Sequence, residues 1–360
     1  MMEHTPDSNK KYWLGLKMIP AFRNQLYMLA DNAGGPDKLW NADRSILVEL
    51  GLSERVASKA VAARNSLDLE SSCRKLKQEG IEIITDDDGV YPELLRQAPG
   101  HPKAIFVRGA LQEYETAVAI VGTRRSTISG KAIASELAAD LARAGVIVVS
   151  GVARGIDTCA HWGAIEAGGL TLGVLGCGSD IIYPPENRRL YKKIEVHGAL
   201  ISEYPPGTPP LAQHFPARNR IVAGMCQGVV VVEAGEKSGA LITADFALDY
   251  GREVFAVPGH SRSHTSQGAN RLIKQGAYLV ETVDDILGVL GIEQSLYPQT
   301  DALTQQEKEF LEALGWEARR LDEIIRQTGA SIASTSAILL SLEIAGFIKK
   351  DLAGSFIRVR

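Results

Sequence analysis

The chain has 360 residues, a mass of 38.8 kDa and a formal net charge of −4, and this length predicts two or three domains. Apolar residues make up 45% and charged residues 23%, which excludes a disordered chain. No window approaches the roughly 18 consecutive apolar residues of a membrane span, and the start, MMEHTPDSNKKYW, lacks the apolar core of a signal peptide. We expect a cytoplasmic protein without a membrane partner, in which any nucleic-acid binding comes from a local basic patch.

The first 80 residues predict a small helical domain. Apolar residues recur at three- and four-residue spacing in FRNQLYMLADNAGG, LWNADRSILVELGL and LSERVASKAVAARNSLDLESSCRKLKQEG, with glycines at the breaks. The segment Leu50 to Ser53 between two predicted helices resembles the hairpin of helix-hairpin-helix or SAM-like modules. A glycine after a helix is also an ordinary C-cap, so both interpretations stay open.

Residues 81–292 predict a doubly wound α/β domain with a parallel sheet. Short β-branched runs alternate with helix-length segments, in the order AVAIVG, GVIVVSG, LTLGVLGCG, GALISEY, GVVVVEAG, REVFAVPG and AYLVE. Runs that are apolar on both faces indicate strands covered by helices on both sides. In such folds ligands bind outside the carboxyl ends of the strands, so the residues after each run are the candidate site.

The end of the chain predicts a linker and a winged helix-turn-helix domain. Residues 293–302 are polar, and residues 303–360 begin with three helical patterns, TQQEKEFLEAL, LDEIIRQTG and SIASTSAILLSLEIAG. The final segment, FIKKDLAGSFIRVR, predicts a hairpin with Gly354 in its turn.

Glycine and basic residues follow most of the predicted strands. Glycine lets an anion approach backbone N–H groups at a helix N-terminus, and an arginine fork binds two phosphate oxygens at once. Because these turns meet at one sheet edge, we predict a wide anionic site; the alternative is tight turns with solvated arginines. The turns hold Gly122, Thr123, Arg124, Arg125, Ser150, Gly151, Arg154, Gly155, Lys237, Ser238 and Gly239.

Common nucleotide signatures are missing from these turns. The first strand is not followed by G-x-G-x-x-G, and GEKSG has Glu236 where a Walker A loop needs glycine before lysine. We therefore expect neither a dinucleotide cofactor nor ATPase activity, and no cofactor of another kind is indicated.

A second basic cluster, Arg218, Asn219 and Arg220, opens a predicted helix in QHFPARNRIVAG. Asn219 between two arginines could contact a base edge or sugar, and Phe215 could stack on a base. The other interpretation is a capped helix with surface arginines.

Two further sets of residues bear on catalysis and metals. Asp157 and His161 are four apart and could pair on one helix face, for which we prefer a structural hydrogen bond that orders the preceding loop. His260 and His264 lie in a polar loop without a third ligand in view, so we expect no metal there.

The four cysteines lie far apart in the sequence without a C-x-x-C pair. We therefore expect reduced, buried thiols at Cys73, Cys159, Cys177 and Cys226.

Seven segments in order resemble the DNA-processing protein A (DprA/Smf) family. They are AIVGTRR, VVSGVARGIDTCAH, GVLGCGSDIIYPPENRRL, ISEYPPGTPP, HFPARNRIVAG, KSGALITADFALDYGREVFAVPG and GANRLIKQGA, and the match runs from about Tyr91 to Leu287. The resemblance implies a non-enzymatic mediator that binds and protects single-stranded DNA and helps load the recombinase RecA in natural transformation. It also implies that residues 81–292 form an extended Rossmann-like domain with a doubly wound parallel sheet, and that a homodimer is built through this domain.

The resemblance assigns the DNA pocket to the strand ends. Arg124 occupies the arginine of the family's G-[ST]-R turn, with Gly122, Thr123 and Arg125 beside it. The other pocket residues implied are Ser150, Gly151, Arg154 and Gly155 of the second turn, Arg218, Asn219 and Arg220 of the RNR segment, and Lys237, Ser238 and Gly239 of the late turn. Adjacent arginines suit the successive phosphates of one strand.

The winged region departs from a duplex-binding pattern. Asp301 to Arg360 contains eight basic and nine acidic residues, a net charge of −1, and the recognition helix predicted over Ser331 to Ala345 has no lysine or arginine. A helix that enters the major groove ordinarily carries such residues. We predict that this domain serves protein contacts or a weak accessory role. A nanomolar dissociation constant of the isolated domain for duplex DNA at physiological salt would contradict this prediction.

Two rival functions remain. The core also resembles nucleotide phosphoribohydrolases, although EAGEKSGALITAD lacks their P-G-G-x-G-T segment followed by glutamate. A duplex-binding regulator that acts through the winged domain is the other rival, and the acidic balance of that domain argues against it.

Overall fold

The computed structural model describes residues 6–22, 25–292, 303–314, 319–344, 347–350 and 354–358. The chain divides into two compact units, Met1–Gln294 and Ser295–Arg360. The linker predicted over 293–302 lies outside the described residues. None of the helices in the described ranges is both long and apolar enough to cross a lipid bilayer.

The described residues of the first unit begin with six helices; the sequence predicted a mostly helical start but not their number. They are α1 (Pro6–Met18), α2 (Leu26–Ala33), α3 (Pro36–Asn41), α4 (Arg44–Glu49), α5 (Glu54–Asn65) and α6 (Leu69–Gln78), with a 3₁₀ turn over Pro20–Phe22. Gly51 follows α4 with φ near +101°, a left-handed conformation that favours glycine. Leu14 of α1 and Leu76 of α6 pack with Ile81 and Phe106 of the sheet, so these helices cover one end of the sheet directly.

The described residues form a nine-stranded sheet in the order β1-β2-β6-β5-β4-β3-β7-β8-β9. Its strands are β1 (Ile81–Thr85), β2 (Ala104–Gly109), β3 (Ala117–Val121), β4 (Ile147–Ser150), β5 (Thr171–Leu175), β6 (Gly198–Ser202), β7 (Gly228–Val231), β8 (Glu253–Ala256) and β9 (Tyr278–Leu279). The predicted doubly wound, mostly parallel fold is confirmed, since β3 to β9 pair in parallel. The two antiparallel strands β1 and β2 at one end of the sheet were not predicted.

Helices cover both faces of this sheet. They are α7 (Glu93–Gln97), α8 (Ile128–Arg143), α9 (Ile156–Glu166), α10 (Arg188–Val196), α11 (His214–Gly224), α12 (Gly239–Asp249), α13 (Gln267–Lys274) and α14 (Val283–Leu290). Ala117, Ala119 and Val121 of β3 share a core with α11 and α12, whereas Leu200 of β6 packs on α10. Because successive strand residues face opposite sides, burial on both faces produces the continuous apolar runs of the sequence.

The second unit is a winged helix fold. It contains α15 (Gln305–Leu314), α16 (Leu321–Thr328), α17 (Ile332–Ile344) and the antiparallel pair β10 (Ile348–Lys350) and β11 (Phe356–Arg358). Its core includes Phe310, Ile324 and Leu339. The exposed side of α17 presents Ile332 and Leu340, which is consistent with our prediction that this helix is a poor reader of duplex DNA.

Candidate nucleic-acid interface

A cavity of about 610 Å³ lies where the strand order reverses. β3 pairs with β4 on one side and with β7 on the other, so the chain winds in opposite directions from β3. The cavity is lined by the turn after β3, the turn after β4 and the first residues of α11 and α12. This is the position at which doubly wound folds bind their ligands.

Nine of the fourteen predicted site residues line this cavity. Those nine are Gly122, Thr123, Arg124, Arg125, Gly151, Arg218, Asn219, Ser238 and Gly239. Three separate turns and the RNR segment therefore meet in one place, as the sequence predicted.

Arg124 and Arg125 are exposed at the cavity. The Arg124 guanidinium carbon lies 5.1 Å from the centre of the Phe215 ring, and the Phe215 and Tyr183 ring centres are 5.4 Å apart. Within the described ranges, neither guanidinium forms an ion pair. The cavity therefore offers two available cations beside two aromatic rings, a combination suited to phosphates and unstacked bases.

The N-terminus of α8, after the β3 turn, is already occupied by an internal carboxylate. Thr127 donates its hydroxyl to Glu233 Oε1 at 2.6 Å and its backbone N–H to Oε2 at 2.9 Å. A side chain at Gly130 would collide with the Glu233 carboxylate. Glu233 therefore engages the start of this helix, and phosphate binding there stays a prediction.

The turn after β4 is organised by Asp157 in a similar way. Asp157 Oδ2 accepts the backbone N–H groups of Gly151 at 3.2 Å and Ala153 at 3.3 Å. Between them, Val152 has φ near +54°, a left-handed conformation that is costly for a β-branched residue.

The start of α12 differs from the turn after β4. Gly239 lies in open space there, since an added Cβ would meet no atom within 4 Å. At this cavity the start of α12 is therefore open to an anion.

Arg218 lines the cavity but is 4% exposed. Its Nη1 donates to the backbone carbonyls of Gly151, at 2.6 Å, and of Val174. Burial lowers the pKa of Arg218, and the charge of the Asp157 carboxylate opposes that shift. Burial raises the pKa of Asp157, and the charge of the Arg218 guanidinium opposes that shift. Nε and Nη1 are engaged with the protein and hold the β4 turn, so Arg218 has a structural role at the cavity, and its contact with DNA stays a prediction.

Asn219 is also engaged with the protein. Its amide donates to the carbonyl of Gly239 at 3.1 Å and its oxygen accepts from Arg218 Nε at 3.3 Å. The residue ties α11 to the start of α12 and so fixes the distance between two cavity walls.

Two other predicted site residues support the turns from beneath. Ser150 is fully buried and its hydroxyl donates to the carbonyl of Ile120 at 2.7 Å. Gly155 has φ near +79°, and a Cβ there would collide with the carbonyl of Thr123. Both shape the backbone of the site and offer no group to a ligand.

The remaining three predicted residues lie around the cavity rather than in its wall. Arg154 is exposed and forms an ion pair with Glu186, and Lys237 is exposed just before Ser238. Arg220 points to the opposite side of α11, where its Nη2 is 2.6 Å from Glu203 Oε2. Arg220 therefore belongs to a different surface from Arg124.

The predicted Asp157–His161 hydrogen bond does not form, although both side chains are structural. Asp157 orders the preceding loop, as expected, but through backbone N–H groups. His161 Nδ1 lies 2.7 Å from the Thr171 hydroxyl, which itself donates to the carbonyl of Val148 at 2.7 Å. Nδ1 is thus the donor and His161 is neutral.

His161 predicts an acid-dependent loss of stability. Burial lowers the pKa of His161 from 6.5 to about 3, so below pH 6.5 the unfolded chain binds a proton that the folded chain does not. This residue then removes about 2 kcal/mol from the free energy of unfolding between pH 7.5 and pH 5. Urea denaturation at both pH values should show that loss in the wild type and a smaller loss in His161→Gln. Identical pH dependence in the two proteins would contradict this assignment.

Two residues of the site were missed or underrated from sequence. Tyr183 lay inside a recognised segment, but nothing local indicated a cavity position. Glu233 comes just after β7, and its position at a strand end was the available signal.

The four cysteines differ slightly from the expectation that all are buried. Cys177 and Cys226 are buried, while Cys73 and Cys159 are half-buried.

The fold and the cavity together define a doubly wound α/β protein with an arginine- and aromatic-lined cavity at its switch point and a separate winged helix unit. The chain belongs to the DprA/Smf family: the family model described as DNA recombination-mediator protein A matches residues 82–291, and that of the DprA winged helix domain matches residues 294–351.

Relatives and solved structures agree with this membership. The Smf protein of Synechocystis is 33% identical over 96% of this chain and 98% of its own length. The X-ray structure of DNA processing protein A from Streptococcus pneumoniae is 33% identical, with a TM-score of 0.67 over 77% of this chain and 97% of its own. The Helicobacter pylori protein, solved for its single-stranded DNA binding mode, is 29% identical, with a TM-score of 0.53 over 58% of this chain and 95% of its own.

Proposed function

We propose that this protein binds single-stranded DNA in the cavity at the β3, β4 and β7 strand ends. The observation that carries the proposal is the pair of available arginines, Arg124 and Arg125, beside the rings of Phe215 and Tyr183. A duplex hides its base faces, whereas a single strand presents phosphates and bases together. The Helicobacter pylori relative, a single-stranded DNA binding protein, supports the same ligand class.

The binding mode follows from which groups are available. Because Glu233 engages the start of α8 and Asp157 engages the β4 turn, phosphate binding falls to Arg124, Arg125 and Lys237, aided by the open start of α12. Arg218, Asn219, Ser150 and Gly155 hold the walls in position. Phe215 and Tyr183 supply stacking surfaces that accept any base, so sequence preference is slight.

The wider role proposed here is that of a recombination mediator. It protects incoming single strands and helps load RecA during natural transformation, without catalysis, as a cytoplasmic homodimer joined through the sheet-containing domain. Membership of a family described as recombination mediators supports this role. The winged unit serves protein contacts or a weak accessory role, because α17 lacks lysine and arginine.

Fluorescence anisotropy of a labelled oligo-dT of about thirty nucleotides tests the proposal. We expect the single strand to bind with little competition from duplex, because duplex bases cannot reach the rings. With three cations contacting phosphates, log affinity should fall against log salt with a slope of about −2.

Preference for duplex would favour the regulator instead. Absence of single-strand binding, together with release of free base from nucleoside monophosphates, would replace the proposal by a phosphoribohydrolase-like function.

A further inference from the structure

A second cavity of about 550 Å³ lies on the other side of α11. Phe215, Arg218 and Asn219 line the first cavity, whereas His214, Ala217 and Arg220, each three residues apart, line the second. Its remaining walls come from the end of α1, the start of α2 and the segment after β6. Both cavities therefore lie at carboxyl ends of sheet strands, separated by a single helix.

The second cavity carries more positive than negative charge. Arg220 and Lys17 both contact Glu203, but only Arg220 pairs with its carboxylate: Arg220 Nη2 is 2.6 Å from Oε2, whereas Lys17 Nζ donates at 3.0 Å to the Glu203 backbone carbonyl. The other carboxylate oxygen, Oε1, accepts the hydroxyl of Tyr27 at 2.7 Å. Among the described residues that line this cavity, Glu203 is the one carboxylate, so one positive charge is left over.

The surplus charge is most evident at Lys17. Its ammonium donates to the Tyr27 hydroxyl at 2.6 Å as well as to Glu203, which uses two of its three N–H groups. Burial lowers the pKa of Lys17, the Glu203 charge opposes that shift, and the charge of Arg220 adds a smaller lowering, which together leave the pKa at about 8. A cation held at a cost in this way is stabilised by an added anion.

The cavity also has a stacked ring pair. Tyr204 and His214 lie with ring centres 4.1 Å apart and planes 21° apart, next to Tyr27 in the lining. Because His214 is 3% exposed, Tyr204 is the half-buried member of the pair that a base can contact, so a cation beside an aromatic ring recurs as in the first cavity.

We propose that the second cavity binds a further phosphate and base of the same single strand, which passes over the N-terminal end of α11 and reaches α1 and α2. This inference rests on the proposed function of the first cavity. It gives the N-terminal helices a direct part in DNA binding, with Lys17 as the phosphate contact, and it enlarges the binding site beyond the strand ends of β3, β4 and β7.

A length series of oligo-dT, from roughly 4 to 16 nucleotides, tests the proposal by anisotropy. The affinity of the wild type should increase with oligonucleotide length while the strand fills the first cavity. It should increase a second time once the strand is long enough to reach the second cavity. Gln25 is exposed and lines that cavity, so Gln25→Glu should weaken long-strand binding by about threefold to tenfold at low salt without affecting the shortest strands. Gln78→Glu, the same change at an exposed position outside the cavity, is the matched control and should bind like wild type.

The pH dependence supplies a second readout. A phosphate raises the pKa of Lys17, so the bound state takes up a proton and long-strand affinity falls about tenfold from pH 7 to pH 9. The other titratable or charged groups lining the cavity are Tyr27, Glu203, Tyr204, His214 and Arg220. Lys17→Met should remove the fall, and short strands should not show it in any variant.

The possible failures can be told apart. If the shortest strands do not bind wild type at all, the function proposed for the first cavity fails. If short strands bind, but Gln25→Glu and Gln78→Glu behave alike at every length and Lys17→Met keeps the wild-type pH dependence, the second cavity has no DNA role.

Discussion

Replacing Arg218 with methionine is expected to lower the free energy of unfolding by about 3–5 kcal/mol, because it leaves the buried Asp157 carboxylate without its cation. The carbonyls of Gly151 and Val174 also lose their donor. The β4 turn, held between Arg218 and Asp157, should loosen, so single-strand binding should fall as well. Urea denaturation monitored by circular dichroism measures the first effect.

Two variants control this experiment. Arg188→Met makes the same change at an exposed position and should cost less than about 0.5 kcal/mol. Adding Asp157→Asn to Arg218→Met removes the uncompensated charge and should recover part of the loss. A loss below about 1 kcal/mol for Arg218→Met would show that the buried pair does not hold the turn.

Replacing Arg124 with alanine is expected to weaken oligo-dT binding by roughly ten- to a hundredfold, about 1.4–2.7 kcal/mol, with little change in stability because the side chain is exposed. The change removes both a phosphate fork and the cation next to Phe215. Arg124→Lys keeps the charge without the planar fork, so its affinity should lie between those of wild type and alanine. The slope of log affinity against log salt should fall by about 0.7 in the alanine variant.

Arg143→Ala is the matched control, since Arg143 lies at the far end of α8 and pairs with Asp140 at the surface. Its oligo-dT affinity should stay within about twofold of wild type. Equal affinities for Arg124→Ala and Arg143→Ala would remove Arg124 from the DNA site.

Much of the fold followed from hydrophobic patterning. The seven parallel strands were predicted from continuous apolar runs, which in β3 to β7 reflect burial on both faces, whereas both residues of β9 are exposed. β1 and β2 were missed because Glu82 and Arg108 interrupt their short apolar runs and lie on partly solvated faces. The position of β2 in the sheet also depends on pairing with the distant β6, which local sequence does not encode.

The site was predicted in outline and corrected in detail. Strand ends of a parallel sheet converge, so the sequence alone was enough to place Gly122, Gly151 and Gly239 together. Sequence does not distinguish an exposed arginine from a buried one, and Arg218 and Arg124 differ in exposure through contacts with residues far along the chain. The occupation of the α8 start by Glu233 is equally long-range, joining residues 106 apart.

Photocrosslinking tests the central claim most directly. Oligo-dT that carries a photoreactive thymidine is irradiated on the full chain, and the crosslinked peptides are identified by mass spectrometry. We predict crosslinks at the rings of Tyr183 and Phe215, lost when Arg124→Ala is used. Crosslinks confined to the winged unit, or unchanged in Arg124→Ala, would contradict binding of single-stranded DNA in the cavity at the β3, β4 and β7 strand ends.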